Sequence, residues 1–192
     1  MDIVLSILAL VVLSPVFLLI SVMIKLDSKG KVIFKHKRIG KNGKEIYIYK
    51  FRTMVENSED MIQNFTEEQK KEFQENYKLA DDPRITKVGK LLRKTSLDEL
   101  PQLINILKGD LSIIGPRPIV REELKKYGER QEEFLSITPG LTGYWAANGR
   151  SCVDYAQRME MEMYYVRNVS FKLDVKIFFQ TVKSVATRRG AV

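Results

Sequence analysis

The sequence predicts a mainly helical α+β protein with one small β-hairpin and a membrane helix at its N-terminus. Three observations support this fold class. Residues 3–24 form one long apolar run, two β-rich segments flank an Asn-Gly pair, and several later segments show helical spacing of apolar residues. The 192 residues suffice for one domain with its own core plus an appendage.

The apolar run from Ile3 to Ile24 contains no charged residue, and as a straight helix it would be about 33 Å long, close to the thickness of a bilayer core. A secretory signal peptide fits poorly, because no basic residue precedes the run. Pro15 leaves the carbonyl of Val11 unpaired, which predicts a kink, and the Ser14 hydroxyl is close enough to satisfy that carbonyl. Basic residues after the run should keep its C-terminal flank in the cytoplasm. Periodicity alone favours a simple span, and a re-entrant hairpin remains open.

Beyond the apolar run, the Asn42-Gly43 pair between two β-rich segments predicts a hairpin. Lys50 and Arg52 lie two residues apart on its second strand, so both side chains would point to one face, which an ordinary solvated sheet face would also explain. Residues 56–82 are polar with sparse apolar positions, which predicts a surface helix, either an insertion or a lid.

The composition limits the partners and the kinds of catalytic site that the chain can have. The net charge of +8 favours a polyanionic partner, such as nucleic acid, a phosphorylated substrate or an anionic membrane. With Cys152 as the only cysteine and His36 as the only histidine, a disulfide within the chain is excluded and a Cys/His zinc site is disfavoured. Nucleophiles that need a histidine base are disfavoured as well. Carboxylates, lysine, arginine, tyrosine or a hard metal ion would therefore carry any reaction.

Two helices are predicted between residues 82 and 118. The first is short, basic and amphipathic, with Val88, Leu91 and Leu92 on its apolar side. The second ends at Gly109. Its predicted buried stripe consists of Leu100, Leu103, Ile104 and Leu107.

Asp98 and Glu99 form an adjacent acid pair at the start of the second helix. A capping box from Ser96 to Glu99 would place Pro101 fifth in that helix, so we favour Asp98 as the N-cap, with Pro101 in the first turn. Either position lies at the positive end of the helix dipole, which favours ionised carboxylates. Capping explains one acid and leaves the second without a role.

Arg117 lies between two prolines, which fix the backbone around it. Its planar guanidinium matches phosphate oxygens, although a surface arginine in a tight turn would have the same sequence pattern. The acid pair, this arginine, the basic charge and the apolar N-terminus together indicate phosphate chemistry beside a bilayer.

Three long sequence blocks carry a resemblance to a known family: KRIGKNGKEIYIYKFRTM, DPRITKVGKLLRKTSLDELPQLINILKGDLSIIGPRP and PGLTGYWAANGRS. The chain resembles, over nearly its whole length, the bacterial sugar transferases of the small monotopic phosphoglycosyl transferase class. The resemblance implies transfer of a sugar-1-phosphate from a nucleoside diphosphate sugar, usually a UDP-sugar, to undecaprenyl phosphate. The products would be a lipid diphosphosugar, which initiates glycan assembly, and UMP.

The resemblance also implies roles for individual residues. Asp98 would attack the sugar-bearing phosphate and form a phospho-aspartyl intermediate, while Glu99 would act in metal binding or proton handling. Mg²⁺ would bridge both carboxylates and the diphosphate. The expected substrate-binding residues are Lys50, Arg52, Arg84, Arg117, Asn148 and Arg150. For Lys50, Arg52 and Arg84, an ordinary surface ion pair is an equal alternative.

The membrane arrangement follows from the same resemblance. Residues 1–24 would form a re-entrant hairpin broken at Ser14-Pro15, and residues 25–192 a catalytic domain on the cytoplasmic face of the bacterial inner membrane. Residues 171–189 would be an amphipathic helix at the interface with anionic lipids, and a helix packed in the core is the alternative. No nucleic-acid module is recognised, and homo-oligomerisation is left open. A membrane scaffold or a polyanion-binding protein is the alternative function.

Overall fold

The computed structural model describes residues 1–76, 79, 82–149 and 153–187. Helices predominate and the sheets are small, which confirms the mainly helical class with a β-hairpin. The α-helices are α1 (Asp2–Asp27), α2 (Glu67–Asn76), α3 (Lys87–Thr95), α4 (Gln102–Leu107), α5 (Arg121–Leu124), α6 (Gln131–Leu135), α7 (Tyr144–Asn148), α8 (Tyr155–Arg167) and α9 (Phe171–Ala186). The strands are β1 (Ile33–Ile39), β2 (Glu45–Phe51), β3 (Ser112–Ile114) and β4 (Gly140–Thr142), and short 3-10 turns cover Lys41–Gly43, Asp60–Asn64, Leu97–Glu99 and Lys125–Arg130.

Helix α1 is long and apolar enough to cross a membrane, and it is helical from end to end with Pro15 inside it. The Ser14 hydroxyl donates to the carbonyl of Val11 at 2.8 Å, which confirms the predicted compensation for the missing proline N–H. One side of α1 packs on α3 and α4, where Ile20 and Ile24 are buried. The other side exposes large apolar side chains: Ile3, Val4, Leu5, Ile7, Leu8, Val11, Val12, Leu18, Leu19, Val22 and Leu26.

Strands β1 and β2 form the predicted antiparallel hairpin, with Lys50 opposite Phe34. Asn42 and Gly43 both have positive φ, at 55° and 77°, and glycine and asparagine are the residues that best tolerate this conformation. The hairpin places Ile46 and Ile48 in a buried cluster with Leu103, Ile106 and Leu111, and residues of α1 cover this cluster.

Helix α4 is fixed to the edge of β2 by a buried amide. Asn105 is fully buried, accepts the backbone N–H of Tyr49 at 2.9 Å, and donates to the carbonyl of Tyr47 at 2.7 Å. The predicted apolar stripe is therefore partly wrong, because the inner face must satisfy a strand edge. Leu103 is buried as predicted, whereas Ile104 and Leu107 are exposed. The predicted C-terminal glycine is confirmed, since Gly109 has a φ of 74°.

Helix α3 forms as predicted and buries Leu92, whereas Leu91 is exposed and so departs from the predicted apolar side. Gly89 lies against the backbone of Thr53, and a Cβ there would overlap the Thr53 carbonyl oxygen. This close approach brings α3 beside the end of β2. The predicted surface helix within residues 56–82 is α2, whose side chain Phe73 packs on buried Phe65 with ring centroids 5.9 Å apart.

Helix α9 matches the predicted amphipathic segment, of which residues 188 and 189 lie outside the described part. Ile177 is fully buried. In contrast, a row of apolar side chains on α9 is exposed: Phe171, Val175, Phe178, Phe179 and Val182. The described part of α9 therefore does not bury the whole apolar side, as a helix packed in the core would.

Candidate active site

The acid pair lies in the 3-10 turn Leu97–Glu99, which connects α3 to α4. Ser96 precedes it with a left-handed φ of 57°, and Pro101 occupies the N-cap position of α4. Neither helix start has a side-chain capping hydrogen bond, so the prediction that Asp98 caps the helix is wrong. The preceding turn supplies acceptors instead, because the Leu103 N–H donates to the Leu100 carbonyl at 3.1 Å and the Ile104 N–H donates to the Pro101 carbonyl at 3.0 Å. The Asp98 side chain is buried instead, with 8% of the residue exposed.

Lys50 of β2 reaches both carboxylates. Its Nζ lies 2.6 Å from Oε1 of Glu99 and 3.8 Å from Oδ2 of Asp98. Gln102, in the first turn of α4, also hydrogen-bonds the Glu99 carboxylate. The hairpin and α4 together therefore place one ammonium group beside two acids that are adjacent in sequence.

The two carboxylates have opposite pKa shifts. Burial raises the pKa of Asp98, as does the neighbouring Glu99 charge, although Lys50 and Arg93 partly lower it. Burial would also raise the pKa of Glu99, but the Lys50 and Arg117 charges and the hydrogen bonds from Lys50 and Gln102 lower it overall. For Asp98, desolvation therefore outweighs the groups that favour the ionised form.

Arg93 of α3 provides a second positive charge near Asp98. Its Nε donates to the Thr53 hydroxyl at 2.9 Å, which anchors the side chain to the end of the hairpin. Asp98 therefore interacts with cations from two elements, β2 and α3.

Arg117 lies in the loop after β3, and hydrogen bonds fix the backbone that precedes it. Gly115 donates to the Thr142 carbonyl, and the Pro116 carbonyl accepts from Gly140, both at 2.9 Å. The Arg117 guanidinium lies over the Trp145 ring, 5.4 Å from its centroid, and its charge acts on Glu99. The predicted rigid presentation of this arginine thus agrees with the loop geometry.

One pocket is lined by Glu99 of the acid pair and by Arg117 of the arginine loop, whereas Asp98 does not line it. Lys50, Gln102 and Trp145 line the same pocket. Its remaining lining includes His36, Arg38, Ile48, Gly115, Pro118, Gly140, Leu141, Thr142, Gly143, Ala146 and Glu162. The structure therefore gathers Lys50, Glu99 and Arg117 from the sequence-predicted set around one space, with Asp98 directly adjacent in the chain.

Two predicted substrate-binding arginines do not line this pocket. Arg52 is buried and donates to the carbonyl of Ser28 at 2.8 Å and to that of Lys29, which fixes the turn after α1. Arg84 makes a bidentate ion pair with Asp82, with distances of 2.8 and 2.7 Å. Its guanidinium also lies 5.1 Å from the ring centroids of both Phe65 and Phe73. The guanidinium groups of both arginines thus make their hydrogen bonds and ion pairs within the protein.

The two residues predicted to contact the nucleotide lie at the end of α7. The exposed Asn148 amide donates to the carbonyl of Tyr144 at 2.8 Å and to Oε1 of Gln180 at 3.4 Å. It does not line the pocket. Arg150 lies outside the described residues.

Comparison with known proteins determines the family. The family model described as bacterial sugar transferase matches residues 1–188. The chain belongs to the bacterial sugar transferase family. It is 45% identical to the exopolysaccharide production protein ExoY of Sinorhizobium fredii, over 99% of this chain and 85% of that protein.

Two further relatives have names that state an activity. The chain is 44% identical to the undecaprenyl-phosphate galactose phosphotransferase of Salmonella typhimurium, over 99% of this chain and 40% of that protein. It is 38% identical to the UDP-N-acetylgalactosamine-undecaprenyl-phosphate N-acetylgalactosaminephosphotransferase of Aeromonas hydrophila, over 100% of this chain and 44% of that protein. The sugar transferase thus spans most of ExoY and less than half of these two relatives. The membership confirms the predicted resemblance and the predicted enzyme class.

Several residues of the sugar transferase site were missed by the sequence reasoning. Arg93, Trp145 and Glu162 come from three different helices, and a fourth element adds Arg38 of β1. Arg38 and Arg158 both face the Glu123 carboxylate, at 3.3 and 3.1 Å. No motif links these positions along the chain. Strand alternation is the one sequence signal that could have indicated Arg38. His36 and Arg38 are two residues apart on β1, so their side chains point to the same face of the hairpin as that of Lys50.

The donor set fits a magnesium ion that is held partly by substrate. Among the residues that the structure describes, no group of three or more acidic, histidine or cysteine side chains forms a complete metal cage. Mg²⁺ commonly binds through one or two carboxylates and completes its shell with phosphate oxygens and water. Asp98 and Glu99 provide two such carboxylates, and Lys50 shows that a cation is accommodated between them.

Proposed function

We propose that this sugar transferase moves a sugar-1-phosphate from a UDP-sugar to undecaprenyl phosphate. The observation that carries the proposal is the buried Asp98 beside Lys50 and Glu99, next to a pocket that Lys50, Glu99 and Arg117 line together. The names of the Salmonella and Aeromonas relatives support this acceptor and make UDP-galactose and UDP-N-acetylgalactosamine the first donors to test.

The reaction proceeds in two displacement steps at one phosphorus atom. A carboxylate oxygen of Asp98 attacks the sugar-bearing phosphorus of the donor, the new O–P bond forms, and the P–O bond to the α-phosphate breaks and releases UMP. A phosphate oxygen of undecaprenyl phosphate then attacks the same phosphorus. The aspartyl O–P bond breaks, which restores the Asp98 carboxylate and yields the lipid diphosphosugar.

Charged side chains of the protein stabilise the negative charges that take part in each step. Asp98 must be ionised to attack, and Lys50 and Arg93 counteract the effect of burial on its pKa. Arg117 binds the oxygens of the donor phosphates, where its planar guanidinium matches their geometry. Asp98 and Glu99 would hold Mg²⁺, which supplies the positive charge that lets two anions meet when the diphosphate is bound.

We further propose that α1 is re-entrant and that both of its ends lie on the cytoplasmic side. At its start, the Asp2 carboxylate accepts hydrogen bonds from the Ser112 hydroxyl at 2.6 Å and the Ile113 N–H at 3.2 Å. At its end, the Asp27 carboxylate accepts the Val88 N–H at 3.0 Å. A simple span would carry one end across the bilayer, away from the domain that both ends contact.

This topology gives the exposed apolar surfaces a purpose. Residues 1–24 enter and leave one leaflet around Ser14-Pro15, residues 25–192 form the catalytic domain, and α9 lies in the interface of the inner membrane. The exposed Lys172, Lys176 and Lys183 would face anionic headgroups. The acceptor phosphate, which is confined to the leaflet, can then reach the active site. Labelling of a cysteine placed near Asp2 from the periplasmic side of intact cells should fail, and efficient labelling would establish the simple span.

The transfer itself is tested by UMP release. Purified enzyme with Mg²⁺ and undecaprenyl phosphate is offered UDP-galactose, UDP-N-acetylgalactosamine and other nucleotide sugars. Asp98→Asn should abolish release, while trapping with labelled donor should give a covalent phosphosugar adduct on the wild type that the variant lacks. Absence of UMP release with every donor, or full turnover by Asp98→Asn, would refute the proposal.

A further inference from the structure

The arginine loop between Gly115 and Pro118 depends on one buried side chain. Pro116 and Pro118 have no N–H, so the Arg117 N–H is the only backbone donor between them. That partner is Oε2 of Glu162, at 3.2 Å. The neighbouring loop contacts described above are all between backbone groups, so Glu162 is the side chain that locks the backbone at Arg117 itself.

Glu162 is not part of the transfer steps, yet it is 1% exposed and lines the pocket. A carboxylate buried so deeply is costly unless charges and hydrogen bonds compensate. Here the positive charges of two guanidinium groups, those of Arg158 and Arg117, act on Glu162 and favour its ionised form. An apolar residue could fill this space, so the burial of an acid indicates a role beyond packing.

We propose that Glu162 is a positioning residue that holds the Arg117 loop in its phosphate-binding conformation. The inference rests on the proposed function, in which Arg117 binds the donor diphosphate. A carboxylate is a stronger acceptor than an amide oxygen, because hydrogen bonds to charged groups are about twice as strong as neutral ones. The ionised side chain therefore fixes Arg117 more firmly than an uncharged one does.

The charge state of Glu162 should then be visible in donor binding. Burial raises the pKa of Glu162 to about 7, although Arg158 and Arg117 lower it. The titratable and charged groups that face it from the surrounding elements are Arg158 and Tyr155 of α8, Arg117, Glu123 of α5, and Tyr127. Because the ionised form is the better acceptor, affinity for a diphosphate should rise as the pH increases through about 7.

The test uses UDP, the diphosphate portion of the proposed donors, as the probe in isothermal titration calorimetry with Mg²⁺ at pH 6 and pH 8. Glu162→Gln keeps an acceptor and removes the charge, whereas Glu162→Met removes both. Glu160→Gln is the matched control, since Glu160 is exposed on the same helix and pairs with Arg130 at 2.7 Å. The ionisation of UDP itself is common to all four proteins and cancels in the ratios of their dissociation constants.

We expect Glu162→Gln to match the wild type at pH 6 and to bind UDP about fivefold more weakly at pH 8, the ratio between charged and neutral acceptors. Glu162→Met, which also lacks the neutral acceptor, should bind about twofold more weakly than the wild type at pH 6 and about tenfold more weakly at pH 8, and Glu160→Gln should stay within about twofold of the wild type at both. A constant ratio of Glu162→Gln to the wild type at both pH values would overturn the inference, as would unchanged binding by Glu162→Met. Failure of the wild type to bind UDP would instead overturn the proposed function.

Discussion

Replacement of Lys50 by methionine should move the acid limb of the sugar transferase pH profile to higher pH. In the proposed mechanism Asp98 attacks as a carboxylate, so kcat/KM for the donor should rise as the pH increases through the pKa of Asp98 in the free enzyme. Burial has already raised that pKa, and Lys50 lowers it. Removal of the ammonium group therefore raises it further, and a larger fraction of the enzyme is protonated at any given acidic pH.

The distance in the structure sets the size of this effect. Two unit charges 3.8 Å apart, the separation of Lys50 Nζ and Asp98 Oδ2, attract each other by about 1 kcal/mol in water and by about 4 kcal/mol in a medium of effective dielectric constant 20. The Lys50 side chain is 26% exposed, so the lower half of this range applies. We take about 1–2 kcal/mol, which corresponds to a fivefold to thirtyfold loss of kcat/KM on the acid limb.

The assay is the initial rate of UMP release between pH 5 and 9 for the wild type, Lys50→Met and Lys37→Met. Lys37 lies on the same hairpin and makes an exposed ion pair with Glu45 at 2.9 Å, so its replacement should leave the profile unchanged. A Lys50→Met enzyme whose loss of kcat/KM is equal at pH 5 and pH 9 would show that Lys50 does not control the ionisation of Asp98. The reasoning from the ion-pair distance would then be refuted.

Three further predictions concern the scaffold and the metal. Gly89→Ala should lower the free energy of unfolding by about 1–3 kcal/mol in urea titration, because the new Cβ overlaps the Thr53 carbonyl oxygen; an unchanged midpoint would contradict this packing. Asn105→Ala leaves an N–H and a carbonyl of β2 unpaired and should cost about 2–4 kcal/mol in the same assay, with a loss below about 0.5 kcal/mol as the contrary result. Chelation with EDTA should stop UMP release and added Mg²⁺ should restore it, whereas turnover that continues in EDTA would exclude the assigned metal role.

The sequence predicted the elements whose signals are local. The hairpin turn, the apolar helix α1, the surface helix within residues 56–82 and the C-terminal Gly109 each depend on neighbouring residues, and the structure contains all of them. The predicted start of α4 was wrong. Two capping arrangements were compatible with the sequence, and the structure has a third, in which Pro101 itself is the N-cap. The inner face of α4 was also wrong, because Asn105 is buried by a hydrogen-bonding requirement of β2 that lies far away in the sequence.

In the candidate site, too, local sequence patterns were predictive and contacts between distant residues were not. The acid pair and Arg117 were found because each has an unusual local pattern. The partners of these residues could not be found in that way, because tertiary packing decides which cation faces which acid. Strand alternation predicted the same face, and therefore the same role, for Lys50 and Arg52. In the structure, Lys50 lies beside the acids and Arg52 lies beside the carbonyls that follow α1.

The packing around the acid pair also distinguishes two residues that the sequence leaves equivalent. Glu99 has a short ion pair with Lys50 and a hydrogen bond from Gln102, and its pKa is lowered, so it remains charged and held in place. Asp98 lies farther from Lys50 and is desolvated, and its pKa is raised. An acid whose charge is less fully compensated within the protein is the better nucleophile once ionised, because fewer bonds must be broken before it attacks. This difference supports the proposed roles, in which Asp98 attacks phosphorus and Glu99 keeps a fixed negative charge.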